Sequence, residues 1–249
     1  MGTRVFRHVG AATAAASLAL LLTACGGEEK KTEDTGKADA SASAAAKPDV
    51  KALTAAELEK LLVTQADLKN HKVQKAEAAV VVNPGDVSAD KAACEPLAEA
   101  MSGVAPGTPG ASAQTQAIEV MKKAASPDDI KKAFGAPATT VTLGSYAGEG
   151  AQQALASLKT AGADCAGGFT LIASGEKTKV TKVAAETVTA GEEALAWTVT
   201  SDMEGKPFVS KLVVLRKGNN LAGFSTISLA GEVKQLPKAV VDAQAAKLR

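Results

Sequence analysis

Apolar residues are spaced along this chain in three successive styles. Val9 to Leu22 is a nearly uncharged run standing behind Arg4 and Arg7. Residues 26–50 carry almost no large apolar side chains. From about residue 53 the apolar positions become periodic, first at mostly helical and later at strand spacing.

Thr54-Ala55-Ala56-Glu57 spells a capping box ahead of Leu58, Leu61 and Leu62, so a short helix starts there. Thr64-Gln65-Ala66-Asp67 repeats the signal before Leu68 and predicts a second turn or a kinked restart. Val73 to Val82 holds a β-branched run closed by the turn residues Asn83-Pro84-Gly85-Asp86. Ser88 opens a predicted helix through about Met101 that carries Cys94, with Pro96 awkward in its interior. Gly103 to Gly110 is a loop by composition, and Gln114 to Met121 alternates as a strand with Ile118 and Val120 on one face. Ser126-Pro127 starts a short helix ending at Gly135. Thr139 to Tyr146 reads as a strand. Gly148 to Ala163 reads as a helix with Ala151, Ala154, Leu155 and Leu158 turned to the core.

After Gly167-Gly168 the period changes to two. Phe169 to Ala173, Thr178 to Val188, Ala194 to Ser201, Pro207 to Arg216 and Leu221 to Leu229 are strand candidates. Their connectors, Ala190-Gly191, Asp202-Met203-Glu204-Gly205 and Gly218-Asn219-Asn220, are short, which implies antiparallel neighbours. Leu195, Trp197 and Val199 share a face expected to meet helices, and Pro237 starts a last helix with Val240, Val241, Gln244 and Leu248 on one side. The expected fold class is α+β, a central antiparallel meander with helices packed on it.

The apolar run near the start is too short and Ala-rich for a good bilayer span, and small residues follow it: a secretory signal peptide. Leu22-Thr23-Ala24-Cys25 resembles the bacterial lipoprotein processing box, which implies a diacylglyceryl and palmitate anchor on Cys25. The expected organisation is a leader at 1–24, a lipidated cysteine with a disordered tether at 25–50, and one folded domain at 51–249. Two arginines leave with the leader, so the 28 basic residues become 26 against 27 acidic ones. That near-neutral balance and the scattered aromatics exclude a nucleic-acid surface. Three cysteines are present. With Cys25 lipidated, Cys94 and Cys165 remain as a pair in an oxidising setting and are expected to bond, the alternative being two buried thiols.

The mature chain keeps one histidine, His71, in a polar stretch, so metal sites needing two histidines are excluded and no metal or cofactor is expected. The acidic pairs Glu192-Glu193 and Asp128-Asp129 fall at turns or helix starts, where acids are routine. Tyr146 and Trp197 are the candidate ligand-binding residues, each able to line a cleft or to fill the core. No catalytic residue is expected.

Leu-Leu-Val-Thr-Gln-Ala-Asp-Leu at 61–68, Cys94-Glu-Pro-Leu, Cys165-Ala-Gly-Gly-Phe, Arg216-Lys-Gly-Asn-Asn-Leu and Leu236-Pro-Lys-Ala-Val-Val-Asp-Ala-Gln together resemble actinobacterial lipoproteins. Those lipoproteins are related to the extracellular sensor domain of receptor serine/threonine kinases, and the resemblance covers roughly residues 53–249. It implies an extracytoplasmic sheet-and-helix domain with a ligand cleft. The kinase sensor has two disulfides where this chain can form one. The functional expectation is a non-catalytic ligand-binding or sensor module on the outer face of the cell membrane, binding a small molecule or an envelope protein. The alternatives are a structural or accessory lipoprotein contacting a protein partner, or a cell-wall hydrolase.

Overall fold

Leu212, Val213, Val214 and Leu215 are consecutive strand residues and all four are buried, so the sheet that holds them is covered on both faces. The computed structural model describes residues 50–76, 82–120 and 135–248. The expected leader, Cys25, the expected tether up to residue 49, part of the Val73–Val82 β-branched run, and the helix expected at Ser126-Pro127 with Asp128-Asp129 lie outside the described residues.

The sheet has nine strands, all neighbours antiparallel: β1 (His71–Gln74), β2 (Val87–Ala89), β3 (Ala111–Glu119), β4 (Ala138–Ser145), β5 (Phe169–Ala173), β6 (Glu176–Glu186), β7 (Glu193–Met203), β8 (Lys206–Lys217) and β9 (Asn220–Ile227). Their order is β1-β3-β4-β9-β8-β7-β6-β5-β2. The fold class is α+β. The meander runs from β5 to β9, and its two-residue turns show why. Ser174-Gly175 and Glu204-Gly205 both have positive φ, and Gly218 supplies the positive φ between β8 and β9. These turns match the twist of the strands they join.

Helices α2 (Glu95–Met101) and α3 (Gly150–Asp164) cover one face, packing Leu97, Leu155 and Leu158 on Trp197, Val199 and Leu212. Helices α1 (Ala55–Leu61) and α4 (Lys238–Lys247) cover the other, packing Leu58 and Val240 on Val213, Leu215 and Phe224. The Thr54–Glu57 capping box is formed: the Glu57 amide donates to Thr54 Oγ1 at 3.3 Å, and the Thr54 amide donates to Glu57 Oε2 at 2.8 Å.

One sequence expectation is corrected. Ser88 does not open a helix; Val87–Ala89 pairs with Ala173, Ile172 and Leu171 of β5 as an edge strand. Helix α2 begins only at Glu95, which puts Pro96 in the first turn, where a missing N–H costs nothing. Cys94 therefore caps α2 and Cys165 caps the end of α3, and a disulfide joins them with Cα atoms 5.9 Å apart. Thr64–Asp67 closes as a turn, one of the two forms expected there.

The first described residues are strapped to one end of the sheet. The Gly148 amide donates to the Val50 carbonyl at 2.9 Å, Asn219 Nδ2 to the Lys51 carbonyl at 3.3 Å, and the Leu53 amide to Ser145 Oγ at 2.9 Å.

Helix α4 is tied to the Thr64–Asp67 turn by Lys247 Nζ on Asp67 Oδ2 at 2.9 Å. That bond, with those from Thr64, holds the Asp67 carboxyl at a pKa of about 2. Its folded pKa lies below the ordinary value, so its stabilisation is complete above about pH 5 and is lost as pH falls toward 2. The pair is partly solvated, and the contribution is on the order of 1 kcal/mol. Asp67→Asn is expected to flatten the acid limb of the stability–pH curve by that amount; curves of equal slope for both proteins would refute it.

Candidate functional site

The far end of β4 and β9, away from the strap, carries a cleft of about 550 Å³. Its floor includes Thr139 and Thr226, cross-strand partners that are 3% and 1% exposed. Their Oγ1 atoms lie 3.0 Å apart, and among the described residues this is the only side-chain hydrogen bond either makes. Two hydroxyls own two protons, and their mutual bond uses one. The cleft floor thus offers a spare O–H and several acceptor lone pairs.

One wall is the sheet edge, where His71 of β1 stands opposite Glu119 of β3. The other is the return segment from Glu232 to Leu236, followed by the first turn of α4. The return segment is laced to β8: the Val209 amide donates to the Gly231 carbonyl at 2.8 Å, and the Val233 amide to the Val209 carbonyl at 2.9 Å. The first turn of α4, Pro237 to Ala239, lines the cleft, and the helix has no side-chain cap at its start. Lys234 and Lys238 balance Glu119 and Glu232 on the rim, and Lys238 also pairs with Asp242 at 2.6 Å.

The polar floor continues under the helices. Register places Lys211 beside Thr226 and Thr198 beside Lys211, making a row of polar side chains across β4, β9, β8 and β7. Lys211 Nζ donates to Glu186 Oε1 at 2.5 Å and to Thr198 Oγ1 at 2.6 Å, and the Thr198 hydroxyl donates to Glu186. Burial disfavours the Glu186 charge, but the bonds from Lys211 and Thr198 outweigh it and hold the carboxyl below its ordinary pKa.

The ligand candidates from the sequence are core residues. Tyr146 is 1% exposed and donates its hydroxyl to the Pro106 carbonyl at 2.6 Å, pinning the Gly103–Gly110 loop. Burial first, and the Glu99 charge second, push its pKa up. Trp197 is 3% exposed and lies on Gly162, where a Cβ would come within 2.5 Å of the indole nitrogen. Neither is among the residues lining the cleft. The Glu192-Glu193 pair is engaged by Arg216, at 2.6 and 2.7 Å. His71, set in a polar stretch of the sequence, is half-buried at the cleft wall.

The cleft can bind and orient, using hydroxyls, both charge signs and apolar Val233, Leu236 and Pro237. Among the described residues its lining has no Ser, Cys or Asp, and its threonines bond one another rather than His71. Among the described residues no helix is long and apolar enough to cross a membrane, and no group of three metal-ligating side chains occurs.

No family model and no curated protein matches the chain. Among solved structures, it is similar to the extracellular domain of PknH from Mycobacterium tuberculosis, at 12% identity and a TM-score of 0.46, over 79% of this chain and 95% of that one. A likeness this distant assigns neither a family nor a ligand.

Proposed function

We propose that this protein is a lipid-anchored, extracytoplasmic binding or sensor module that performs no catalysis. The observation that supports binding is the cleft floored by the buried Thr139–Thr226 pair, whose spare hydroxyl proton awaits an acceptor. The anchor rests on Leu22-Thr23-Ala24-Cys25. A second reading, an accessory lipoprotein that contacts an envelope protein, is favoured by exposed Ile227 and Leu229, the latter 84% exposed, just beyond the cleft.

Both parts are testable on protein taken from its own membrane. Cys25→Ser is expected to shift the chain from the detergent phase to the aqueous phase; unchanged partitioning would remove the anchor. Native mass spectrometry is expected to show a co-purifying small molecule that Thr226→Val releases. A molecule retained equally by that variant would place binding elsewhere, and turnover of a cell-wall peptide or glycan would overturn the non-catalytic reading.

A further inference from the structure

At the strapped end of the sheet, away from the cleft, α1 borders a second pocket of about 420 Å³. Half-buried Leu53 and Leu61 give it apolar walls, and exposed Glu57 and Lys60 line it with opposite charges. Asn220, the first residue of β9, completes the lining among the described residues and is 4% exposed. Its Oδ1 is buried without a hydrogen-bond partner, and among the described residues its Nδ2 has none either. Its cross-strand neighbour is Ser145, fully buried, whose Oγ accepts the Leu53 amide at 2.9 Å. The Ser145 hydroxyl proton meets no acceptor among the described residues. Register puts both side chains on the face of Leu143 and Ala222, which α1 covers.

The fold gives no reason for an asparagine at this position. The turn before it is served by Asn219, whose Nδ2 donates to the Tyr146 carbonyl at 2.8 Å, and by the positive φ of Gly218. Asn220 has neither a positive φ nor a side-chain bond, and asparagine is a poor strand former. Leaving a buried carboxamide unpaired also costs stability, so leucine would suit the fold better. We infer that this pocket is a second binding site, for a neutral apolar ligand that ends in a carboxamide. Such a head carries a donor for Asn220 Oδ1 and an acceptor for the Ser145 hydroxyl or Asn220 Nδ2, and its alkyl body lies against Leu53 and Leu61. A carboxylate would set oxygen against Asn220 Oδ1, and a plain hydrocarbon would leave all three groups unpaired. Glu57 and Lys60 cancel in charge, so the mouth selects for neither ion. The pocket and the cleft are separate sites, and the inference holds or fails without the proposed function.

The test is a titration of hexanamide into the full chain in detergent, with the Asn220 side-chain amide signals followed by NMR. Hexanamide is expected to move those signals and to bind with a Kd on the order of 1 mM. Hexanoate and N,N-dimethylhexanamide have the same alkyl chain but no donor in the head. Each is expected to bind at least about tenfold more weakly. Asn220→Leu is expected to lose hexanamide binding while its thermal midpoint stays level or rises, because an unpaired buried group is gone. A residue kept only for the fold would not separate the two readouts in that way. Should the leucine variant fail to fold, the comparison of the three compounds on the unaltered protein decides. Equal affinity for all three, hexanamide binding that survives in a folded Asn220→Leu chain, or Asn220 signals that no compound moves, the carboxamide then being met by solvent alone, would each overturn the inference.

Discussion

Replacing Cys94 and Cys165 together by alanine is expected to lower the unfolding free energy by about 2–5 kcal/mol. The bond joins positions 71 residues apart, for which chain entropy alone gives about 4 kcal/mol. It also ties the start of α2 to the end of α3, and both cysteines are buried in the core on that face. Alanine is preferable to serine because it leaves no unpartnered hydroxyl behind. Urea unfolding of the variant, and of the unaltered chain with and without reductant, checks the size of the effect. A midpoint unmoved by either treatment would show that the helices hold without the bond.

Gly168→Ala is expected to cost roughly 2–5 kcal/mol, combining backbone strain with overpacking. Gly168 has φ of +96°, and a Cβ there would lie 2.3 Å from the Val180 carbonyl and 3.1 Å from Thr181. Those atoms are backbone of β6, next to its register shift between Val180 and Lys182, and cannot swing aside as a side chain would. The amide of Gly168 donates to the Cys165 carbonyl at 2.9 Å, and its carbonyl accepts Lys91 Nζ at 2.8 Å. Moving it therefore disturbs the turn that carries the disulfide. Gly167→Ala is the control, with no atom within 4 Å of the added carbon. Equal midpoints for the two variants would refute the account. The cysteine and glycine effects share this turn and should not add.

Features decided within a few residues were legible in the chain. The Thr54 box, the buried stripe of α3 and the glycine-bearing hairpins need only their own neighbours to form. Features decided by distant partners were not. Val87-Ser88-Ala89 is a strand because β5 lies beside it, and nothing within those three residues says so. Trp197 is a core residue because Gly162, on a helix far back in the chain, leaves room for it. The cleft gathers His71, Glu119, Thr139, Thr226 and the 232–239 segment from five separate stretches. Its one sequence signal was a hydroxyl at an inward strand position, Thr139 two residues before Val141 and Thr226 two after Phe224, and that pattern also suits an ordinary strand.

The strap at Val50–Leu53 bears on mechanics. Tension arriving from upstream would be taken up by its bonds to Gly148, Asn219 and Ser145. Thr139 sits six residues along β4 from Ser145, on the order of 20 Å. A tug on the N-terminal side would peel the strap from its end of the sheet before any load reached the threonine floor, so the cleft would keep its shape while the protein was pulled.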